Sequence, residues 1–116
     1  MSLFEERERA FELMFAYDEE MRFRALARRN CLFASWAAEH LGLSGDEREN
    51  YLRAMVKAVV VPENEERLIE RVREDLSARG CPATEQQIRR AMAQARETAA
   101  RQIKEEAFEA PLAVAR

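Results

Sequence analysis

The sequence predicts a small all-α protein, a four-helix bundle, on three observations. Among 116 residues there are only three glycines and three prolines, so helix breakers are scarce. Between the breakers, apolar residues recur at steps of three and four, the spacing of one helix face. Apolar residues make up 47% of the chain and charged residues 35%, enough of each to fill one core and solvate its exterior. A chain of this length forms one domain, and no repeat or low-complexity tract divides it.

The first helix is predicted from Phe4 to Leu41, where no breaker intervenes. Phe4, Phe11, Phe15, Leu26, Phe33, Trp36 and Ala37 fall within about a third of the circumference at 100° per residue, with Trp36 expected at the bundle centre. Gly42 is a natural left-handed terminator. Ser44 and Glu47 have the spacing of a capping box and open a second helix, whose inner face is Tyr51, Leu52, Met55, Val56 and Val59. Val59–Val61 would suit a strand, but no partner strand exists elsewhere, so they read as a helix end stopped by Pro62. Asn64 is placed to cap a short third helix carrying Leu68, Ile69, Val72 and Leu76, closed by Gly80. After Cys81 and Pro82, Thr84 and Gln87 form a second capping box. Ile88, Met92, Ala95, Ala99 and Ile103 then continue a stripe to about Glu106, beyond which the tail containing Pro111 is expected to fray.

The first helix is too long for its domain. At about 1.5 Å per residue it runs about 55 Å, whereas a compact domain of this size is on the order of 35 Å across. Part of it must overhang or bend, and charge identifies which part. Residues 1–20 carry seven acids and two bases; Arg22, Arg24, Arg28 and Arg29 follow with no acid among them. The division expected is therefore an N-terminal partner-binding segment over 1–20, a bundle over 21–107 and a C-terminal tail over 108–116. Phe4, Phe11 and Phe15 allow two readings: packing on the chain's own helices, or insertion into a groove on a partner. The overhang supports the second.

Several functions are excluded on composition and spacing. A net charge of −3 argues against a nucleic-acid binder. The apolar runs, Ala58 to Pro62 and Ala110 to Ala115 among them, fall far short of the ~20 residues of a membrane span. An amphipathic membrane-surface helix is disfavoured because its acidic first third would be repelled by anionic lipid. Two cysteines far apart give neither a disulfide scaffold nor a zinc site, and no signal peptide is evident, so the chain reads as cytoplasmic with Cys31 a small buried hydrophobe and Cys81 in a turn. His40 reads as a capping or packing residue at a helix end, not a catalytic base. No metal spacing stands out, and no catalytic site is expected. Arg28-Arg29-Asn30 and Arg89-Arg90 are the only candidate phosphate contacts and are better read as solvent-facing helix surface. No cofactor is expected, adenine nucleotide being the one small ligand these clusters leave open.

The chain also carries a resemblance. Phe4, Arg7-Glu8-Arg9-Ala10-Phe11-Glu12, Phe15-Ala16, Asp18-Glu19-Glu20, Phe23, Ala27-Arg28-Arg29-Asn30 and Trp36-Ala37-Ala38-Glu39 resemble the zeta subunit family of alphaproteobacterial F-type ATP synthases. The likeness continues through Leu41-Gly42-Leu43-Ser44-Gly45, Tyr51, Val72-Arg73-Glu74-Asp75-Leu76, Gly80, Gln87-Ile88-Arg89-Arg90, Met92 and Gln102-Ile103. It implies a four-helix inhibitor of ATP hydrolysis by the catalytic head. The N-terminal segment would enter an interface between alpha and beta subunits near gamma and block rotation, as the mitochondrial inhibitor protein does. On that basis the partner-binding residues are Phe4, Glu5, Arg7, Glu8, Arg9, Phe11, Glu12, Phe15, Asp18 and Glu19. The protein would sit on the cytoplasmic face of the inner membrane when bound, without inserting. The alternative from a different class is a helical adaptor that presents the same segment to another cytosolic protein.

Overall fold

The computed structural model describes the backbone of residues 3–57 and 65–114, and side chains at 3, 5, 6, 18–57 and 65–106. Four helices and no strand occur among them: α1 (Leu3–Leu41), α2 (Gly45–Lys57), α3 (Glu65–Ala78) and α4 (Glu85–Val114). The bundle of four helices predicted from the sequence is the fold observed. The Val59–Val61 helix end, the Pro62 stop and the Asn64 cap lie outside the described residues.

α1 is the central element, packing on α2, α3 and α4, while α3 also packs on α4. Its 39 residues account for a molecule measuring 64 × 32 × 20 Å. The core gathers Phe33, Ala37 and Leu41 of α1, Met55 of α2, Leu68, Ile69, Val72 and Leu76 of α3, and Ile88, Met92 and Ala95 of α4. Phe33, fully buried, is the large side chain at its centre. Trp36 is not central: it is half-buried, stacked on Phe33 at 6.2 Å and tilted against His40 at 4.2 Å. At about 100° per residue Ala37, Leu41 and Ala34 all lie to one side of Phe33 within the buried arc, whereas Trp36 lies about 60° to the other side, at its margin.

Two helix ends use the same device. At Gly42 (φ +71°) the Leu43 N–H donates to the Ala38 carbonyl (3.0 Å) and the Gly42 N–H to Glu39 (3.2 Å). At Gly80 (φ +65°) the Cys81 N–H donates to Leu76 (2.9 Å) and the Gly80 N–H to Ser77 (3.1 Å). Both are Schellman closures, in which a left-handed residue turns the chain and the next side chain returns to the core. Leu43 and Cys81 do so. Cys81 is thus half-buried against the core despite lying in a turn.

The capping box of α4 forms as expected, the Thr84 N–H donating to Gln87 Oε1 (2.9 Å) and the Gln87 N–H to Thr84 Oγ1 (3.1 Å). The corresponding pairing at α2 is different. The Arg48 N–H donates to the Ser44 carbonyl, but the Glu47 carboxylate is taken by Arg79 at 2.7 Å, an ion pair across to the end of α3. α4 also continues past Glu106, through Pro111, to Val114. A proline so placed forfeits its N–H bond and crowds the carbonyl four residues earlier, and the helix ends three residues beyond it.

Candidate functional site

The N-terminal half of α1 holds every residue assigned to partner binding. Its backbone is helical from Leu3 onward, so these positions share one continuous element. Glu5, Asp18 and Glu19 are exposed, as are Leu3, Glu6 and Glu20. The side chains of Phe4, Arg7, Glu8, Arg9, Phe11, Glu12 and Phe15 lie outside the described residues. Leu3 and Phe23, 66% and 54% exposed, are the two large apolar side chains most open to solvent among those described. Phe23, three residues after the end of the acidic run, is not among the residues that the sequence assigns to partner binding.

The root of this segment is held by the arginines that follow it. Arg24 and Arg28 reach Glu106 on α4 at 3.0 and 2.7 Å, and Arg28 also donates to Gln102 at 2.8 Å. Arg29 and Asn30 are buried, at 5% and 0% exposure, which corrects their reading as solvent-facing surface. The Asn30 Oδ1 accepts from Nε and Nη2 of Arg29 (3.0 and 2.9 Å), while its Nδ2 donates to the Met55 carbonyl at the end of α2 (2.9 Å). Arg29 Nη1 reaches Glu65 at the start of α3 (3.3 Å), and Glu65 is also paired with Arg96 of α4. Three helices therefore meet on two adjacent polar side chains, and Glu65 extends the network to α4. Burial holds the Arg29 pKa below the usual arginine value; Glu65 opposes that shift and Arg96 reinforces it. The register was present in the sequence: Arg29 is four residues before Phe33, and Asn30 four before Ala34, both on the buried face.

Arg89 forms a two-pronged pair with Glu66 (2.8 and 2.9 Å) and reaches Glu85, in keeping with a solvent-facing surface. The hydrogen bonds from Arg89 lower the Glu66 pKa and raise that of Arg89. His40 Nδ1 lies 3.0 Å from the Trp36 carbonyl, the packing role expected. Both cysteines are free and half-buried. Cys31 is less enclosed than expected because it lies 100° on from the buried Asn30, toward the margin of the interface. Among the described residues no group of three His, Cys, Asp or Glu side chains could hold a metal ion, and no helix is long and apolar enough to cross a membrane.

A groove of about 630 Å³ lies where the acidic half of α1 meets the bundle, between α1 and α4. A second, of about 390 Å³, lies between α2 and α3, with Tyr51, Arg71 and Asp75 in its lining. Across it the Tyr51 hydroxyl donates to Asp75 at 2.9 Å, and the Arg71 guanidinium stands 6.0 Å from the ring centre.

The fold is thus a helical bundle in which one long helix leaves Leu3, Glu5, Glu6 and residues 18–20 exposed and is tied to α4 by the arginines that follow them. The model of the family ATPase inhibitor subunit zeta matches residues 1–102, and the chain belongs to that family. The family is an inhibitor subunit, not a catalytic one, and its partner is the ATP synthase. No curated protein and no solved structure matches the chain.

Proposed function

We propose that the protein inhibits ATP hydrolysis by the F-type ATP synthase head by inserting the N-terminal half of α1 at a catalytic alpha/beta interface near gamma, so that rotation in the hydrolytic direction is blocked. The observation that supports this reading most directly is the contrast along α1 in a member of the inhibitor family: the described side chains from Leu3 to Glu20 are exposed, while Phe33 to Leu41 form the core. Phe4, Phe11 and Phe15 are the apolar anchors. Glu5, Arg7, Glu8, Arg9, Glu12, Asp18 and Glu19 set the register by charge. Residues 21–107 act as the handle, 108–116 have no assigned part, and the mechanism requires no cofactor. The site of action is the cytoplasmic face of the membrane, reached without insertion.

Titrating hydrolysis by the purified cognate head is the test. Anchors at the centre of an interface carry most of its energy, so Phe11→Ala or Phe15→Ala should weaken inhibition by about 2 kcal/mol, roughly thirtyfold. Deleting residues 1–19 should abolish it. Glu105, exposed on α4, is a suitable control; Glu106 is not, since it holds Arg24 and Arg28. Equal inhibition by the deletion and the whole chain would remove the mechanism. Retention of proteins other than alpha, beta and gamma on the immobilised chain would favour the adaptor.

A further inference from the structure

The cleft between α1 and α4 is filled along part of its length and open along the rest. α3 fills it, packing on both helices with Leu68, Ile69, Val72 and Leu76 buried. Its first residue, Glu65, spans the cleft by pairing with Arg29 of α1 and Arg96 of α4. Four residues back along α1 stands Ala25, and four residues on along α4 stands Ala100. With Met21 and Ile103 these two floor the groove of about 630 Å³. The groove is thus the open continuation of the seat in which α3 lies. Arg22, Arg101 and Lys104 stand on its rim, all exposed. Among the described residues none of the three has a carboxylate within ion-pair distance, whereas Arg24 and Arg28 are held by Glu106 and Arg29 and Arg96 by Glu65.

The filled stretch shows what these walls bind. α3 lays an apolar face inward and sets carboxylates on the flanking arginines, Glu65 on Arg29 and Arg96, and Glu66 on Arg89. The open stretch repeats that arrangement, an apolar floor under three basic side chains, and so fits a second helix of the same kind. This chain does not supply one. Its acidic half is the continuation of α1 itself past Asp18, and residues 58–64, between α2 and α3, carry one carboxylate, Glu63, against three cations. We infer that the groove is a second contact with the ATP synthase, taking an acidic amphipathic helix on the surface of its head. The inference rests on the inhibitory reading for the identity of the partner. Asp18 joins the two contacts, since it lies both in the segment assigned to insertion and in the lining of the groove. Residues 1–20 then supply the block and the groove supplies grip. Losing the grip lowers affinity without lowering the inhibition reached at saturation.

The test titrates the purified cognate head with the full chain, reading hydrolysis and, on the immobilised head, direct binding. Arg101→Glu with Lys104→Glu should raise the half-inhibitory concentration and the dissociation constant at least about tenfold, because like charges then face each other. Inhibition at saturation should stay complete. Neither side chain has an ion-pair partner among the described residues, so the fold is kept, and the milder Arg101→Gln with Lys104→Gln should fall between. Arg53→Glu with Lys57→Glu, on exposed positions of α2, changes the net charge equally but away from the groove, and should act less than about twofold. A photoreactive side chain in place of Arg101 should cross-link to an acidic helix of the head.

No weakening by the groove pair, or equal weakening by the α2 pair, would overturn the inference and leave the inhibitory reading standing. A cross-link confined to a second copy or to residues 58–64 would overturn it too. Binding that the groove pair weakens, with no inhibition by the wild type at saturation, would support the groove contact and remove the inhibitory mechanism. A wild type that does not bind the head would overturn both.

Discussion

The two halves of α1 share one backbone ladder but differ in what surrounds them. Between Phe33 and Leu41 the helix contributes Phe33, Ala34, Ala37, Ala38 and Leu41 to the core. Between Leu3 and Glu20 its described side chains face solvent. Extending a helix costs far less than starting one, because each added residue gains a hydrogen bond without a new nucleus. A packed half can therefore carry an unpacked half as its continuation. The arginines between them complete the design, since Arg24 and Arg28 bind α4 while Arg29 is buried with Asn30. The lesson is that presentation and stability are assigned to different stretches of a single helix.

The comparison breaks most readily at Phe33. Phe33→Ala removes the central core side chain and should cost about 3–5 kcal/mol. Deleting residues 1–19 should leave cooperative unfolding within about 1 kcal/mol of the whole chain, since an exposed terminus contributes little to the global transition. Urea unfolding followed by circular dichroism measures both. Were the deletion to abolish cooperativity, the N-terminal half would be core and the division would collapse.

Asn30 sharpens the same comparison at the junction. Asn30→Ala removes two of the three hydrogen bonds of the buried Arg29 guanidinium, leaving it Glu65 alone, and the donor to the Met55 carbonyl, so a loss of about 2–4 kcal/mol is expected, well above that of an exposed polar change. Unfolding midpoints give the value, and a loss below about 0.5 kcal/mol would show that the network is dispensable.

Much of this architecture was legible because it follows local rules. Gly42 and Gly80 mark their helix ends by backbone freedom alone, and the Thr84–Gln87 box forms from residues three apart. What escaped depends on distant partners. Nothing near Glu47 foretells that Arg79, 32 residues away, will take its carboxylate instead of the cap. Arg28 and Arg29 look like solvated charge until Gln102, Glu106 and Glu65 are brought beside them. The acidic segment was found from charge alone, whereas the groove beside it needed α4 placed against α1.

The smallest expected effect belongs to Tyr51, which ties α2 to α3 and so tests the bundle without touching the presented half. Burial, the hydrogen bond to Asp75 and the charge of Asp75, in that order, raise its pKa in the folded protein, with Arg71 opposing. The ordinary tyrosine value is about 10. Below it both folded and unfolded chains keep the phenol proton, and the stabilisation is fully present. As pH rises above it the unfolded chain releases the proton first, so stability falls toward the raised folded value. Tyr51→Phe should cost about 0.5–1 kcal/mol near neutral pH through the lost hydrogen bond, and it should flatten the decline between about pH 9 and about pH 11. Tyr17, in the N-terminal half, is common to the wild type and this variant and cancels between them. Deleting residues 1–19 should leave the alkaline decline as steep as in the whole chain. Urea unfolding across that window checks both, and a Tyr51→Phe variant that loses as much stability as the wild type would show that the Tyr51–Asp75 tie is not what titrates.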